Sequence, residues 1–258
     1  MPGKQNVAPF QRRSVSFVRR ESRLGPQQQR TWDEHNGTLI IDLLRSQAAM
    51  SVAPEFELDA ARHFGRAAPL VVEIGSGTGD ALVQGALARP GMNFLAVEVY
   101  RTGLAATLNK IVQHDLTNVR LVRADAMQVF KHMLTPRSIA EVWIFFPDPW
   151  HKVKHHKRRL VTPAFAELVA SRLAPGGTLR LATDWADYAI QMRDVLTSCA
   201  SLTNPYRGPV RPAHGPAPAP AELGTGFAPR FPGRAMTRFE TKGLESGRAI
   251  YDLELRRV

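Results

Sequence analysis

From Leu70 onward the chain alternates short apolar runs with helix-like stretches. Leu70-Val71-Val72-Glu73-Ile74 is a β-rich run that ends in glycines, and Asp80–Ala88 reads as a helix. The pattern repeats, with strands predicted at 94–98, Val119–Arg123, 139–146 and 178–183. Helices are predicted between them at 102–114, 126–133 and 162–173, the last opened by a Thr162 cap with Pro163 in its first turn. Five strands this apolar must be covered on both faces. The pattern therefore predicts an α/β fold built on a doubly wound, mostly parallel sheet. Two further runs, 236–240 and 248–255, are expected to return as an antiparallel edge pair, and no internal repeat is visible.

The ends of this pattern set the expected organisation. Residues 1–35 show no hydrophobic periodicity and are expected to form a flexible arm, leaving 36–258 as the folded domain. Within it, 205–232 turns to Pro, Ala and Gly, including Pro216-Ala217-Pro218-Ala219-Pro220, which cannot enter a sheet interior. That segment reads as an insertion. A hydrophobic content of 44% over 258 residues suits one core with decorations. No stretch approaches the roughly 20 apolar residues of a membrane span, and the first 30 residues hold no apolar run that would serve as a secretory signal. The expected location is cytoplasmic, with no membrane partner. Cys199, the single cysteine, has no partner for a disulfide or a zinc site and reads as a buried thiol.

The net charge of +11 is concentrated rather than scattered. Residues 1–30 carry Lys4, Arg12, Arg13, Arg19, Arg20, Arg23 and Arg30 against Glu21 alone; 151–159 add Lys152, Lys154, Lys157, Arg158 and Arg159 with no acid. The rest of the chain is neutral in sum. Two basic segments on a neutral body fit a polyanion partner, because each cation placed near a phosphate releases condensed counterions. A basic tail plus a solvated loop would give the same count.

Candidate chemistry sits at the predicted strand ends, where open parallel sheets bind ligands. Glu73-Ile74-Gly75-Ser76-Gly77-Thr78-Gly79 allows close backbone approach and a sharp turn into a helix. A dinucleotide fingerprint needs glycine where Asp80 stands, and an aspartate there repels a pyrophosphate. Glu73 likewise suits a ligand with cationic groups, such as the sulfonium and amine of S-adenosylmethionine. Glu98, nineteen residues after Gly79, is placed to accept from both hydroxyls of a ribose. Two readings fit Asp125: acceptor for an adenine amine, or N-cap of the helix after it. In Phe145-Phe146-Pro147-Asp148-Pro149-Trp150 two prolines fix the backbone around one carboxylate, more than a turn requires. The string lies where base-modifying aminomethyltransferases carry an Asn/Asp-Pro-Pro-aromatic motif, which points to a nitrogen as target. The basic run that follows it, which includes His151, His155 and His156, is placed to grip a phosphate backbone beside the reacting base. Its cations would repel a divalent ion, so no metal is expected. Asp184 follows the last parallel strand beside Trp185, which reads equally as a core residue.

Together, Glu73-Ile74-Gly75-x-Gly77-x-Gly79, Phe146-Pro147-Asp148-Pro149-Trp150-His151-Lys152, His156-Lys157-Arg158-Arg159-Leu160, Thr183-Asp184-Trp185 and Thr237-Arg238-Phe239-Glu240 resemble the bacterial tRNA (guanine-N7-)-methyltransferases. The likeness extends from Ser16-Phe17-Val18-Arg19-Arg20 to Tyr251-Asp252-Leu253. It implies a Rossmann-like, class I S-adenosylmethionine-dependent methyltransferase that modifies the variable-loop guanine at tRNA position 46, releases S-adenosylhomocysteine, and works as a monomer or homodimer. By that resemblance Glu73, Gly75, Gly77, Gly79, Glu98, Asp125 and Asp148 hold the cofactor, with Asp148 also catalytic. Lys152, Asp184, Thr237, Arg238, Phe239 and Glu240 hold the substrate, and Lys154, His155, His156, Lys157, Arg158 and Arg159 contact RNA. The Pro/Ala-rich segment before Thr237 departs from the family pattern by its length. The competing readings are an N-methyltransferase of another substrate, a non-catalytic RNA-binding relic of the fold, and a nicotinamide dehydrogenase, the last weakened by Asp80.

Overall fold

A computed structural model describes residues 23–46, 48–206, 208 and 225–258. Five parallel strands carry the frame: β1 (Leu70–Ile74), β2 (Asn93–Glu98), β3 (Val119–Arg123), β4 (Ile139–Phe145) and β5 (Leu173–Thr183). The two-residue β6 (Leu202–Thr203) and the longer β7 (Tyr251–Arg257) follow, giving the order β3-β2-β1-β4-β5-β7-β6 with β7 antiparallel to both neighbours. The chain steps from β1 outward to β3 and then crosses back to β4. The carboxyl ends of β1 and β4 therefore flank the switch point.

Side-chain alternation divides the core. Val71, Phe94 and Trp143 face Leu82 of α3 (Asp80–Ala88) and Leu104 and Leu108 of α4 (Arg101–Gln113). Val72, Leu95 and Val142 face the other way, in one cluster with Phe130, with Phe165 and Val169 of α6 (Pro163–Arg172), and with Tyr188 of α7 (Ala186–Thr197). All of these side chains are fully buried, each worth about 1.5–3 kcal/mol for the aliphatic and Phe members. Cys199 is buried, as its isolation in the sequence suggests.

Several expectations are corrected. The 236–240 run is not a strand: Thr237 Oγ1 accepts from the Glu240 amide at 3.1 Å and caps a helix over Arg238–Glu245, so β7 pairs with β5 and β6 instead. The arm boundary at 35 falls inside α1 (Pro26–Leu39), which starts on Pro26 at its first position and is held by a Trp32 ring covered by the Arg101 guanidinium at 4.8 Å. With so few apolar positions, this helix has no periodic stripe to read. The short helices α2 (Ala60–Phe64) and α5 (Ala126–Gln128) pack on the other side, in the Val72 cluster, α5 passing into a π turn over Val129–Met133. β5 starts five residues earlier than predicted because Ala174–Gly177 forms an irregularity opposite Ile139 and Glu141, with Gly176 at φ 75°. The end of the insertion is anchored: Phe227 and Ala228 are buried, the Ala228 amide donates to Asp252 O at 2.8 Å, and the Phe231 ring meets Trp143 edge-on at 5.4 Å. The basic positions at 1–22 and the Pro216–Pro220 run lie outside the described residues.

Candidate active site

A cavity of about 610 Å³ opens at the switch point, beneath the carboxyl ends of β1, β2 and β4. Its floor is the loop after β1, where Gly75, Gly77 and Gly79 all adopt left-handed φ (71°, 54° and 77°). At Gly75 and Gly77 a Cβ would meet nothing, so backbone amides stay approachable, whereas at Gly79 it would lie 2.5 Å from Thr107. Glu73 lines the cavity but is only 3% exposed, and its Oε2 has no hydrogen-bond partner among the described residues. Burial, then Glu98 and Asp80, push its pKa from 4.5 up to about 8. The buried Ser76 Oγ is unpartnered in the same sense. An acidic cavity with orphaned acceptors and open glycine backbone suits a ligand carrying sulfonium and amino groups, so these residues fit S-adenosylmethionine.

Glu98 serves the protein first. Its Oε2 accepts from the Gly77 amide at 2.9 Å, while Oε1 accepts from the amides of Val99 (2.6 Å) and Tyr100 (2.9 Å). Three of roughly four lone-pair sites are taken, so the two-hydroxyl grip expected of it is reduced to about one acceptor position. Burial raises its pKa against those three amide donors. Asp125 lines the cavity and caps α5, accepting from the Gln128 amide at 3.3 Å.

Asp148 stands on the cavity rim in a turn bounded by two non-glycine residues in the left-handed region, Phe146 (φ 54°) and Trp150 (φ 47°). Such residues cost about 1–2 kcal/mol each and persist where surrounding structure enforces them. The carboxylate reaches solvent through the cavity mouth, yet protein crowds its other sides; that desolvation raises its pKa, with Arg158 and His151 pulling the other way. Beyond it, Val153–Arg158 forms a 3₁₀ turn that exposes Lys152, Lys154 and Lys157. His155 stacks on Trp150 at 5.9 Å, Arg158 lies 3.8 Å over the same ring, and His151 meets Trp185 at 4.1 Å.

The opposite rim is the first turn of α8 (Arg238–Glu245), which brings Thr237, Arg238 and Phe239 to the cavity. Three sequence assignments change here. Glu240 is fully buried and turned away from the cavity, with Arg230 Nε at 2.7 Å and Arg234 Nη2 at 3.0 Å on its Oε1; burial would raise its pKa, and the two arginines overcome that and hold it below the ordinary range. Arg159 does not face RNA: it is 4% exposed and donates to Asp187 Oδ2 and Gln191 Oε1, both at 2.6 Å, and to Pro149 O at 2.9 Å. Asp184 lies outside the cavity lining and accepts from Arg248 Nε at 2.8 Å, packed against Gly243 of α8.

Residues 67–207 match a family described as "Putative methyltransferase". The tRNA (guanine-N(7)-)-methyltransferase of an Arthrobacter species is 45% identical over 290 aligned positions, spanning 100% of this chain and 91% of that relative. A relative of the same description from Cutibacterium acnes is 46% identical over 244, covering 95% and 83%. The chain belongs to the tRNA (guanine-N(7)-)-methyltransferase family. Among solved structures, an antibiotic-related methyltransferase superposes with a TM-score of 0.51 at 12% identity, covering 84% of this chain and all of that one. The 16S rRNA methyltransferase KamB gives 0.51 at 16%, covering 78% and 94%. At such identities these two structures support the Rossmann-like methyltransferase fold and nothing finer.

For this family member, sequence reasoning misses Arg230 and Arg234, which sit in or beside a stretch that reads as linker, and Gly103, where a Cβ would lie 2.7 Å from Gly77 O. Glycine at the third position of a helix is the available signal for Gly103. Glu73 gives a pH test. Its folded pKa of about 8 exceeds the ordinary 4.5, so the unfolded chain loses this proton first. The stability contributed by neutral Glu73 is complete below about 4.5 and declines as pH rises toward 8. Glu73→Gln is therefore expected to melt above the ligand-free parent by a margin that widens from pH 5 to pH 8. A margin that stays constant with pH contradicts the buried-acid assignment.

Proposed function

We propose that this chain methylates N7 of the guanine at position 46 of the tRNA variable loop, using S-adenosyl-L-methionine and releasing S-adenosyl-L-homocysteine in the cytoplasm. The observation that carries the reading is the placement of Asp148: a carboxylate carried by a constrained turn on the rim of an acidic cavity, directly beside an exposed lysine turn, in a member of this family. Glu73, the glycine loop, Glu98 and Asp125 would hold the cofactor, which when bound supplies a methyl carbon whose bond to sulfur breaks with the electron pair kept by sulfur. Guanine N7 has a lone pair and no proton, so no residue has to remove one. The chain's task is to align the purine edge and to offset charge that develops on it, for which Asp148 is placed.

Purified protein, labelled S-adenosylmethionine and unmodified tRNA, followed by nucleoside analysis, tests this directly. The expected product is 7-methylguanosine mapped to position 46; methylation at another atom or position, or tight tRNA binding without transfer, overturns the assignment. The lysine turn is tested separately. Replacing Lys152, Lys154 and Lys157 together by alanine is expected to weaken tRNA binding and to flatten the dependence of log K on log salt by about 2 to 3 units, roughly 0.7–0.9 for each phosphate no longer neutralised. An unchanged salt slope removes these lysines from the interface. Arg159, already committed to Asp187 and Gln191, belongs outside that set.

A further inference from the structure

Among the described residues, four aromatic rings line the cavity: Tyr100, Phe145, Phe146 and Phe239. Phe145 is buried against Trp143 at 5.7 Å and Phe231 at 6.4 Å. Phe146 has the Arg234 guanidinium 5.6 Å from its centroid, and Tyr100 is half-buried at the start of α4. The nearby tryptophans are likewise covered, Trp150 by Arg158 and His155, Trp185 by His151. Phe239 differs: it is 63% exposed while lining the cavity. The backbone that carries it is held on three sides. Thr237 caps the helix, Glu240 is locked by Arg230 and Arg234, and Gly243 packs against Asp184. What this places on the cavity rim is an uncovered phenyl face, carried by an anchored helix turn, on which a planar ligand entering the cavity has room to stack.

We infer that Phe239 is the stacking platform for the target guanine and favours the positive charge that methylation places on it. The inference rests on the proposed N7 chemistry. A new N7–carbon bond, formed with no proton lost, leaves the purine cationic. The negative face of a phenyl ring attracts a cation more than a neutral base. The contact therefore strengthens from substrate to transition state, which is the condition for raising kcat rather than only lowering KM. Arg238 and Lys242 on the same rim cannot do this, because like charge repels the developing cation.

The test compares Phe239→Ala, Phe239→Leu and Phe239→Trp with the parent for kcat, KM and melting temperature. Cofactor-free protein is also titrated with two tRNAs, one unmodified and one carrying 7-methylguanosine at the target position. Because the ring is exposed, all variants are expected to melt with the parent. The Ala and Leu variants are expected to lose about 3- to 30-fold in kcat, with Trp restoring it. The parent is expected to prefer the methylated tRNA, and Leu, which keeps apolar bulk but has no π face, to lose that preference. Parent-like kcat and parent-like preference in the Leu variant overturn the inference while leaving the N7 reading intact, as does failure of Trp to rescue. If the parent makes no 7-methylguanosine, the reading beneath the inference falls and takes the inference with it.

Discussion

Asp148→Asn is expected to lower kcat by about 10²- to 10³-fold, the cost typical of removing one group aimed at transition-state charge, while leaving the fold intact. The side chains are nearly isosteric, and the turn between Phe146 and Trp150 is set by two prolines and enforced left-handed residues rather than by the carboxylate itself. What the substitution removes is charge. Burial raises the Asp148 pKa while Arg158 and His151 oppose it, so the acid is less stabilised as an anion than a solvated carboxylate and is held ready to interact with a cationic purine. The sign of the pH effect follows: kcat/KM of the parent should climb as pH rises through this elevated value, and the Asn variant should show no such limb. Single-turnover methyl transfer across pH, beside melting curves, separates this from a folding defect. Near-normal transfer by a correctly folded Asn variant removes Asp148 from the chemistry.

The legible part of the site is the part whose chemistry is local. Strand ends at β1, β2, β3 and β4 are readable because apolar runs stop at glycine, proline or an acid, and Glu73, Glu98, Asp125 and Asp148 all line one cavity as a result. Pairing across the fold is not legible. Nothing near Arg159 in the chain announces Asp187 and Gln191 as its partners, so a buried structural arginine looks like one more cation in a basic run. Glu240 misleads for the same reason, since its neutralising arginines lie in a segment dominated by Pro, Ala and Gly. α1 escapes notice because its hold on the core comes from only two apolar side chains, Trp32 and Leu39, packed against the Val71 cluster, with Arg101 of α4 over the Trp32 ring; two positions seven apart make no stripe. Likewise the 236–240 run reads as strand by composition, but a Thr cap acts through one hydrogen bond that composition does not display.

Arg234→Met is expected to destabilise the protein by about 3–5 kcal/mol, the range for breaking a buried ion pair by removing one partner. Arg234 is 1% exposed and bonds Glu240 through Nε (3.2 Å) and Nη2 (3.0 Å), and Asp252 of β7 through Nη1 and through Nη2 (3.2 Å). Its guanidinium also lies 5.4 Å from the Phe145 ring and 5.6 Å from that of Phe146. Met replaces most of the volume but leaves two buried carboxylates with Arg230 as the remaining cation on Glu240. Burial already raises the Asp252 pKa despite Arg234, so loss of that partner raises it further. The loss should consequently be largest at alkaline pH and shrink as pH falls and both acids protonate. Urea unfolding at pH 5 and pH 8 measures this, and a pH-independent loss would point to packing instead of charge. Adding Asp252→Asn should recover part of the stability at pH 8, because the two positions share one network and their effects cannot be additive. It should not restore the rigid seat of Glu240, so the double variant is expected to remain slow in methyl transfer: Arg234 ties the turn that presents Asp148 to the helix that presents Phe239.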